Sequence, residues 1–427
     1  MANNTISMSE VKTLLNYTID NNKRLEDESK TAIAVGIEAS AGIGKTSIVK
    51  QVAEERGMGF TKIDLHQLDE SGDLVGFPMT EYECQILKRY KDEKDGKDKV
   101  MVLPQTVWTN KKQLDEGPGP NMKYRQTGKT RMAYAKPAWV PEYNENGNIL
   151  LLDDYVRANP QLLQASMDLV LEQMYISWKL PKKTTIVLTN NPDDGNYNVS
   201  SLDEAQRTRF LNYELAFELS SWMSWAEKND IDGRCINFVA SYSNELFSAD
   251  EEGNRICNPR SFVMFANMIA GLKDWDNADT LSFINLIARG CFKDNGRFSQ
   301  MFTTFLRNKM HLLIQPKKML LGDWNEVKNI LDQTVYDQST GQYRPDIASL
   351  LERRFTSYVD AWLDSPDKTP IEKVKKRIID FLDVEQTNGR RFFTKDQFYH
   401  MIKTITSEHK RQTGQLLYEP KIAKIIS

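Results

Sequence analysis

The chain has 427 residues, 40% of them apolar and 27% charged, with 56 basic side chains against 59 acidic. That is material for two or three compact domains, and so even a balance gives no global electrostatic footprint for nucleic acid, although local patches stay open. Cys84, Cys235, Cys257 and Cys291 lie far apart with no C-x-x-C pair, which argues against a zinc or disulfide framework; with no signal-like start and no run of eighteen apolar residues, a cytoplasmic protein that does not span a membrane is expected.

A helix is expected over 9–22, followed by a short apolar strand over 32–37. "ASAGIGKT" (39–46) comes next, then an amphipathic helix over 47–56 that Gly57 stops, and a strand over 60–65. Between 76 and 137 the core alternation breaks off. Its lysine-rich stretch "KRYKDEKDGKDK" interleaves both signs, and the segment reads as a solvated loop inserted at about 77–137. A second G-K-T, at Gly128 to Thr130, has Lys123 where a small residue should stand and no apolar strand ahead of it, so it is not read as a nucleotide loop. "NILLLDD" reads as a buried strand over 148–154 ending in acids. Asn159 and Pro160 open a helix that runs to about 173, because Asn satisfies free backbone N–H groups and Pro fits the first turn. "TTIVLTNNP" (184–192) and "YELAFEL" (213–219) complete the strands. Apolar strands separated by helices imply a parallel sheet with helices on both faces. Beyond 220 only helices are expected, over 236–247, 258–272, 280–292 and 298–314, and past Pro316 over 324–335, 347–363, 370–382 and 395–409. The organisation reads as an α/β domain over 1–219, a helical domain over 220–315 and a helical extension over 316–427, with no internal repeat.

The chemistry concentrates in two places. Ala39 to Thr46 fits A-x-x-x-x-G-K-T, a phosphate-cradling loop with Ala in place of the first Gly. Such a loop turns backbone N–H groups and a helix N-terminus toward phosphate oxygens, so Ala41, Gly42, Ile43, Gly44 and Ser47 are expected to line it. Gly42 and Gly44 keep side chains out of the way. Lys45 is expected to meet the β and γ phosphates of ATP, and the Thr46 hydroxyl to bind Mg²⁺. At the end of "ILLLDD", Asp153 is placed to hold the metal and Asp154 to orient or deprotonate the attacking water. Asp is one methylene shorter than the Glu usual at that second position, so slow turnover is among the expectations.

From Asn148 to Phe210 the sequence resembles the MoxR group of AAA+ ATPases, whose members run roughly as LLLDE-INRA-P-QSALLEAMEE, then ATQNP, then G-Y-LPEAQLDRF. The matching residues are Arg157-Ala158, the capped helix, Asn191-Pro192, Gly195 with Tyr197, and Glu204-Ala205-Gln206 leading to Arg209-Phe210. Upstream, "DLHQLDESGDLVGFP" looks like the family's stretch ending in D-L-L-G, and downstream "NPRSFVMF" is similar to its S-P-R-A lid helix. The resemblance covers about 30–315 and implies a P-loop AAA+ core with a parallel sheet, an all-α lid domain and a C-terminal helical extension. It also implies roles: Asn191 as the sensor that holds the water, with Asn190 the neighbouring candidate; Arg209 as the finger reaching an adjacent subunit's nucleotide, with Arg207 the competitor; and Arg260 as the second sensor. A finger acting in trans implies a homo-oligomeric ring, usually a hexamer.

The leading expectation is therefore an ATPase that remodels a protein client, in partnership with a von Willebrand factor A-domain protein where the family's habit holds. A DNA-directed motor or loader is the second reading, drawing on Lys111, Lys112, Lys123, Arg125, Lys129 and Arg131 with Tyr124 and Trp108. A nucleotide-stabilised assembly protein with background turnover is the third, and Asp154 gives it its weight.

Overall fold

The computed structural model describes residues 5–68, 70–91, 98–192, 202–248, 255–293, 295–363, 371–388, 390–408 and 413–426. Two compact units divide the chain, Met1–Ser40 with Gly44–Ala216, and Ala41–Ile43 with Phe217–Ser427.

In the first unit, β1 (Thr5–Ile6) leads into α1 (Met8–Asp27), which Ser7 and Glu10 open by capping each other's backbone N–H groups. Then come β2 (Ala34–Glu38), α2 (Lys45–Glu55), β3 (Gly59–Asp64), α3 (Ser71–Val75), β4 (Pro78–Lys91), β5 (Asp98–Asn110), α4 (Lys111–Glu116) and β6 (Met122–Tyr134). They are followed by β7 (Asn148–Asp153), α5 (Pro160–Glu172), β8 (Met174–Tyr175), β9 (Trp178–Lys179), β10 (Thr184–Asn190), α6 (Glu204–Arg207) and β11 (Phe210–Leu215). Six strands form one sheet in the order β1-β11-β2-β10-β7-β3, every pair parallel. Numbered along the chain, the five longer strands stand as 5-1-4-3-2, the arrangement of a P-loop AAA+ core. Every residue of β10 is buried, as are the first five of β7, which is why these segments read as unbroken apolar runs. Leu150, Leu152, Ile186 and Leu188 pack with Leu162 and Leu163 of α5 and with Phe210. The last strand begins at Phe210 and ends at Leu215 rather than running over 213–219, and a helix starts at Leu219.

The stretch read as a solvated loop is instead a three-stranded antiparallel sheet, β5-β4-β6. Lys88, Arg89, Lys91, Asp98 and Lys99 of the lysine-rich stretch are exposed on it, and across strands Arg131 meets Glu81 at 2.8 Å and Lys129 meets Glu83 at 3.6 Å. Cys84 and Thr109 are buried. The second G-K-T lies inside β6, where no helix N-terminus exists to bind phosphate. Residues 92–97 of the lysine-rich stretch fall outside the described residues. The sheet is tied at its base: Gly76 turns the chain at φ +91°, and Ser177 of the β8–β9 hairpin accepts from Tyr134 N at 2.7 Å and donates to Tyr134 O at 2.9 Å.

The second unit is helical: α7 (Leu219–Lys228), α8 (Gly233–Phe247), α9 (Pro259–Ile269), α10 (Ala278–Cys291), α11 (Asn295–Arg307), α12 (Pro316–Leu321), α13 (Trp324–Val335), α14 (Pro345–Leu363), α15 (Ile371–Asn388), α16 (Lys395–Glu408) and α17 (Pro420–Ile426). One apolar cluster runs through it from Trp222 to Ile422. Pro316 occupies the first turn of α12, a position where its missing N–H costs nothing. Arg354, 1% exposed, crosses this core and donates to Glu227 Oε1 at 2.8 Å, to Gly233 O at 2.8 Å and to Asn237. Among the described residues no helix is long and apolar enough to cross a membrane.

Candidate functional site

Register brings the carboxyl ends of the central strands together. Glu38 of β2 stands opposite Asn190 of β10, and Asp64 of β3 opposite Asp153 of β7. In a parallel α/β sheet this edge is where ligands bind, because helices start there and their N–H groups face outward.

The loop after β2 turns on two left-handed residues, Gly42 at φ +83° and Gly44 at φ +108°. Gly44 caps α2, so Lys45 is its first residue. A non-glycine residue would pay for such backbone angles. Lys45 is buried, and Nζ donates to Ala39 O at 2.5 Å, Ser40 O at 3.4 Å and Asn191 Oδ1 at 2.9 Å. The ammonium thus lies folded back along the loop that precedes it. Thr46 Oγ1 donates to Asp153, 3.2 Å from Oδ1 and 3.3 Å from Oδ2.

Asp153 closes β7, and Asp154 follows in a left-handed conformation, φ +50° and ψ +42°. An aspartate there is uncommon and strained. The turn is held by Asn190, whose Oδ1 accepts from Val156 N at 3.3 Å. Its result is that the two acids face different partners. Asp154 Oδ1 accepts from Asn191 Nδ2 at 2.9 Å, and Oδ2 lies 3.3 Å from Arg157 Nη1. Asn191 therefore bridges Lys45 and Asp154. The two neighbouring asparagines separate by role: Asn191 enters the cluster, while Asn190 is spent on the backbone of the acid turn.

Lys62 joins the cluster although nothing in the sequence singled it out. Its Nζ lies 2.8 Å from Asp64 Oδ1 and 2.9 Å from Asp153 Oδ2. Thr189 donates to Asp153 Oδ1 as well. Burial by itself would raise the Asp153 carboxyl, but the hydrogen bonds from Thr189 and Lys62, the charge of Lys62 and the Thr46 hydroxyl outweigh it and hold the group below the usual carboxylate range. Burial would likewise lower the Lys62 ammonium, and its two carboxylate partners raise it instead. Only the β3–β7 register could have pointed to Lys62, since a lone lysine in an alternating strand carries no signal of its own.

Two further candidates, Arg209 and Arg207, hydrogen-bond to backbone carbonyls outside this cluster. Arg209 precedes β11; Nη1 donates to Ala205 O at 2.6 Å, and Nε is buried with no hydrogen-bond partner among the described residues. Arg207 is more exposed and donates through Nε to Leu202 O at 3.1 Å. Arg260 belongs to the second unit, the second residue of α9, and is exposed. Gly195 and Tyr197 lie outside the described residues. In the inserted segment, several of the cations considered for nucleic acid have partners: Arg131 also covers the Trp108 ring at 4.5 Å, Arg125 Nε donates to Gln85 Oε1 at 3.1 Å, and Lys112 of α4 is 3.9 Å from Glu116.

No family model matches the chain, and no curated protein matches it. Among solved structures, the chain is similar to the RuvB Holliday junction branch migration motor of Thermotoga maritima at 14% identity, covering 79% of this chain and 86% of that one with a TM-score of 0.35. A point variant of that RuvB gives 14% identity, coverage of 65% and 68%, and a TM-score of 0.34. A candidate ATPase from Cytophaga hutchinsonii gives 13%, coverage of 70% and 88%, and 0.28. Likeness at this level carries no argument about activity or partner.

Proposed function

We propose that this protein binds ATP with Mg²⁺ and hydrolyses it to ADP and phosphate. The observation that carries the reading is the closure of the loop onto the acids: Thr46 meets Asp153, and Lys45 meets Asp154 through Asn191. Three segments, the loop, the acid turn 107 residues further on and Asn191 after the next long strand, supply a cation, a hydroxyl, an amide and two carboxylates to one place, the set that phosphoryl transfer to water requires.

The N–H groups from Ala41 to Ser47 cradle the phosphates, and Lys45 gives up its carbonyl partners to meet them. The Thr46 hydroxyl and the Asp153 carboxylate are oxygen donors of the kind a hard divalent cation takes, and they would hold Mg²⁺. When bound, the ion supplies positive charge to the phosphate oxygens. Asp154 orients the attacking water and receives its proton, with Asn191 fixing the carboxylate through its amide. Asp154 is one methylene shorter than a Glu and already accepts from Asn191 and lies near Arg157, which favours slow turnover. Arg209, or Arg207 beside it, acts as the finger on a neighbouring subunit's nucleotide, and Arg260 as the second sensor. The chain accordingly works as a ring, usually a hexamer, that reshapes a protein client in the MoxR manner, with a von Willebrand factor A-domain partner. The paired cations of the inserted sheet lower the alternative in which DNA is the client.

Phosphate release by purified protein tests the reading. Wild type turns over; Lys45→Ala and Asp154→Asn fall to background. Equal rates in all three would remove the enzymatic proposal and leave the assembly reading, in which nucleotide binds without being consumed.

A further inference from the structure

The Asp153 carboxylate has a cation on it that belongs to the chain. Its side chain is 13% exposed, and its two oxygens are met by Thr189, Thr46 and the ammonium of Lys62, the last at 2.9 Å. Lys62 and Asp64 are two apart on β3 and so share a face of the strand. The register sets Asp64 directly opposite Asp153. The ammonium accordingly sits between two carboxylates, 2.8 Å from the one and 2.9 Å from the other, with a place to go if either is taken by another cation. An ordinary exposed ion pair would contribute little. This one compensates a mostly buried charge.

We infer that Lys62 is a built-in counter-ion for the divalent-cation position, standing on Asp153 until the metal is loaded and then held by Asp64 alone. The inference rests on the nucleotide-site reading above and concerns how that site is charged. Two consequences follow from Coulomb's law. A divalent ion must displace a like charge from Asp153, so more Mg²⁺ is needed to load the site. A nucleotide arriving without metal meets a carboxylate already neutralised, so its phosphates are repelled less. Lys62 therefore lowers the dependence of nucleotide binding on metal, and Asp64 is the positioning residue that lets it step aside.

The test is equilibrium binding of a fluorescent ADP analogue, with and without a Mg²⁺ titration, to full-length protein. In Lys62→Met, the Mg²⁺ concentration giving half-maximal binding is expected to fall about fivefold, and affinity without metal to fall by about the same factor. Asp64→Asn should move the Mg²⁺ requirement the other way, upward by about threefold, because the ammonium then has only Asp153. A purely structural pair would send both variants in one direction. Thermal unfolding checks that each variant is folded, and Lys62→Gln replaces Lys62→Met should the latter not fold. Shifts of the same sign, or no shift while Lys45→Ala still weakens binding, overturn the inference and leave the nucleotide site standing. If wild type binds no nucleotide under any condition, the site reading fails, and this inference with it.

Discussion

On the proposed ATPase reading, replacing Asn191 by Ala separates catalysis from binding in a way the geometry makes quantitative. Its amide makes two contacts at 2.9 Å, accepting from Lys45 Nζ and donating to Asp154 Oδ1. Lys45 keeps Ala39 O and Ser40 O as partners, and in the proposed nucleotide complex its charge is directed to phosphate in any case. The loss should therefore leave nucleotide affinity within about threefold, since a retained charge loses only one of several neutral acceptors. Asp154 keeps only Arg157, at 3.3 Å and exposed, so its orientation is no longer fixed from inside the site. A hydrogen bond to a charged group is worth about 1.5–3 kcal/mol, and at about 1.4 kcal/mol per decade this corresponds to a roughly 10- to 100-fold fall in turnover. Steady-state phosphate release gives the rate, and titration with a fluorescent ATP analogue gives the affinity. Asn190→Ala is the companion variant. Its Oδ1 accepts from Val156 N inside the acid turn, and leaving that donor buried should cost about 1–3 kcal/mol of stability. A fall in turnover of less than threefold in Asn191→Ala, or a parallel fall in affinity, would refute the assignment of the two asparagines.

Other consequences can be measured on the same protein. Arg354→Leu should destabilise the second unit by about 3–5 kcal/mol, because it strands Glu227 inside the core; chemical denaturation reads the loss, and a change under 1 kcal/mol would contradict it. Gly76→Ala should lower the unfolding midpoint, since a β-carbon there would fall 1.8 Å from Ala135 O at a φ of +91°; an unchanged midpoint would show that the turn relaxes freely. Burial raises the Glu352 carboxyl, against the opposing hydrogen bond and charge of His400 and the hydroxyl of Thr356. A raised carboxyl binds its proton more tightly folded than unfolded, so its contribution is full below the unfolded value and is lost as pH rises through the folded one. Glu352→Gln should therefore gain stability relative to wild type as pH goes from about 4 to about 7, and a constant difference across that range would contradict the sign.

Much of the architecture was legible because the signals were local. An apolar run, two glycines and a Lys-Thr pair can be read in a dozen residues, and so can "NILLLDD" or the Asn159-Pro160 helix start, which the structure realises with Asn159 Oδ1 accepting from Leu162 N. What escaped depends on pairing between distant segments. The inserted sheet reads as a loop because its strands, with Glu81 and Glu83 opposite Arg131 and Lys129, come together only through the β4–β6 register. Its alternation was present in "TEYECQ", with Tyr82 and Cys84 on one face and Glu81, Glu83 and Gln85 on the other, but interleaved lysines masked it. Lys62 was invisible for the same reason. The strand expected over 213–219 ends at Leu215, a boundary hidden because aromatic and apolar residues continue from β11 into α7, so composition does not change where the backbone does.

In the proposed function, Lys45 and the acids of β7 hold one nucleotide together. Calorimetric titration of the purified chain with ATP and magnesium measures this directly. One nucleotide per chain is predicted, with Lys45→Ala weakening binding about 30-fold or more through loss of a charge-assisted contact. An absence of binding at millimolar ATP, or equal affinity in wild type and Lys45→Ala, would contradict it.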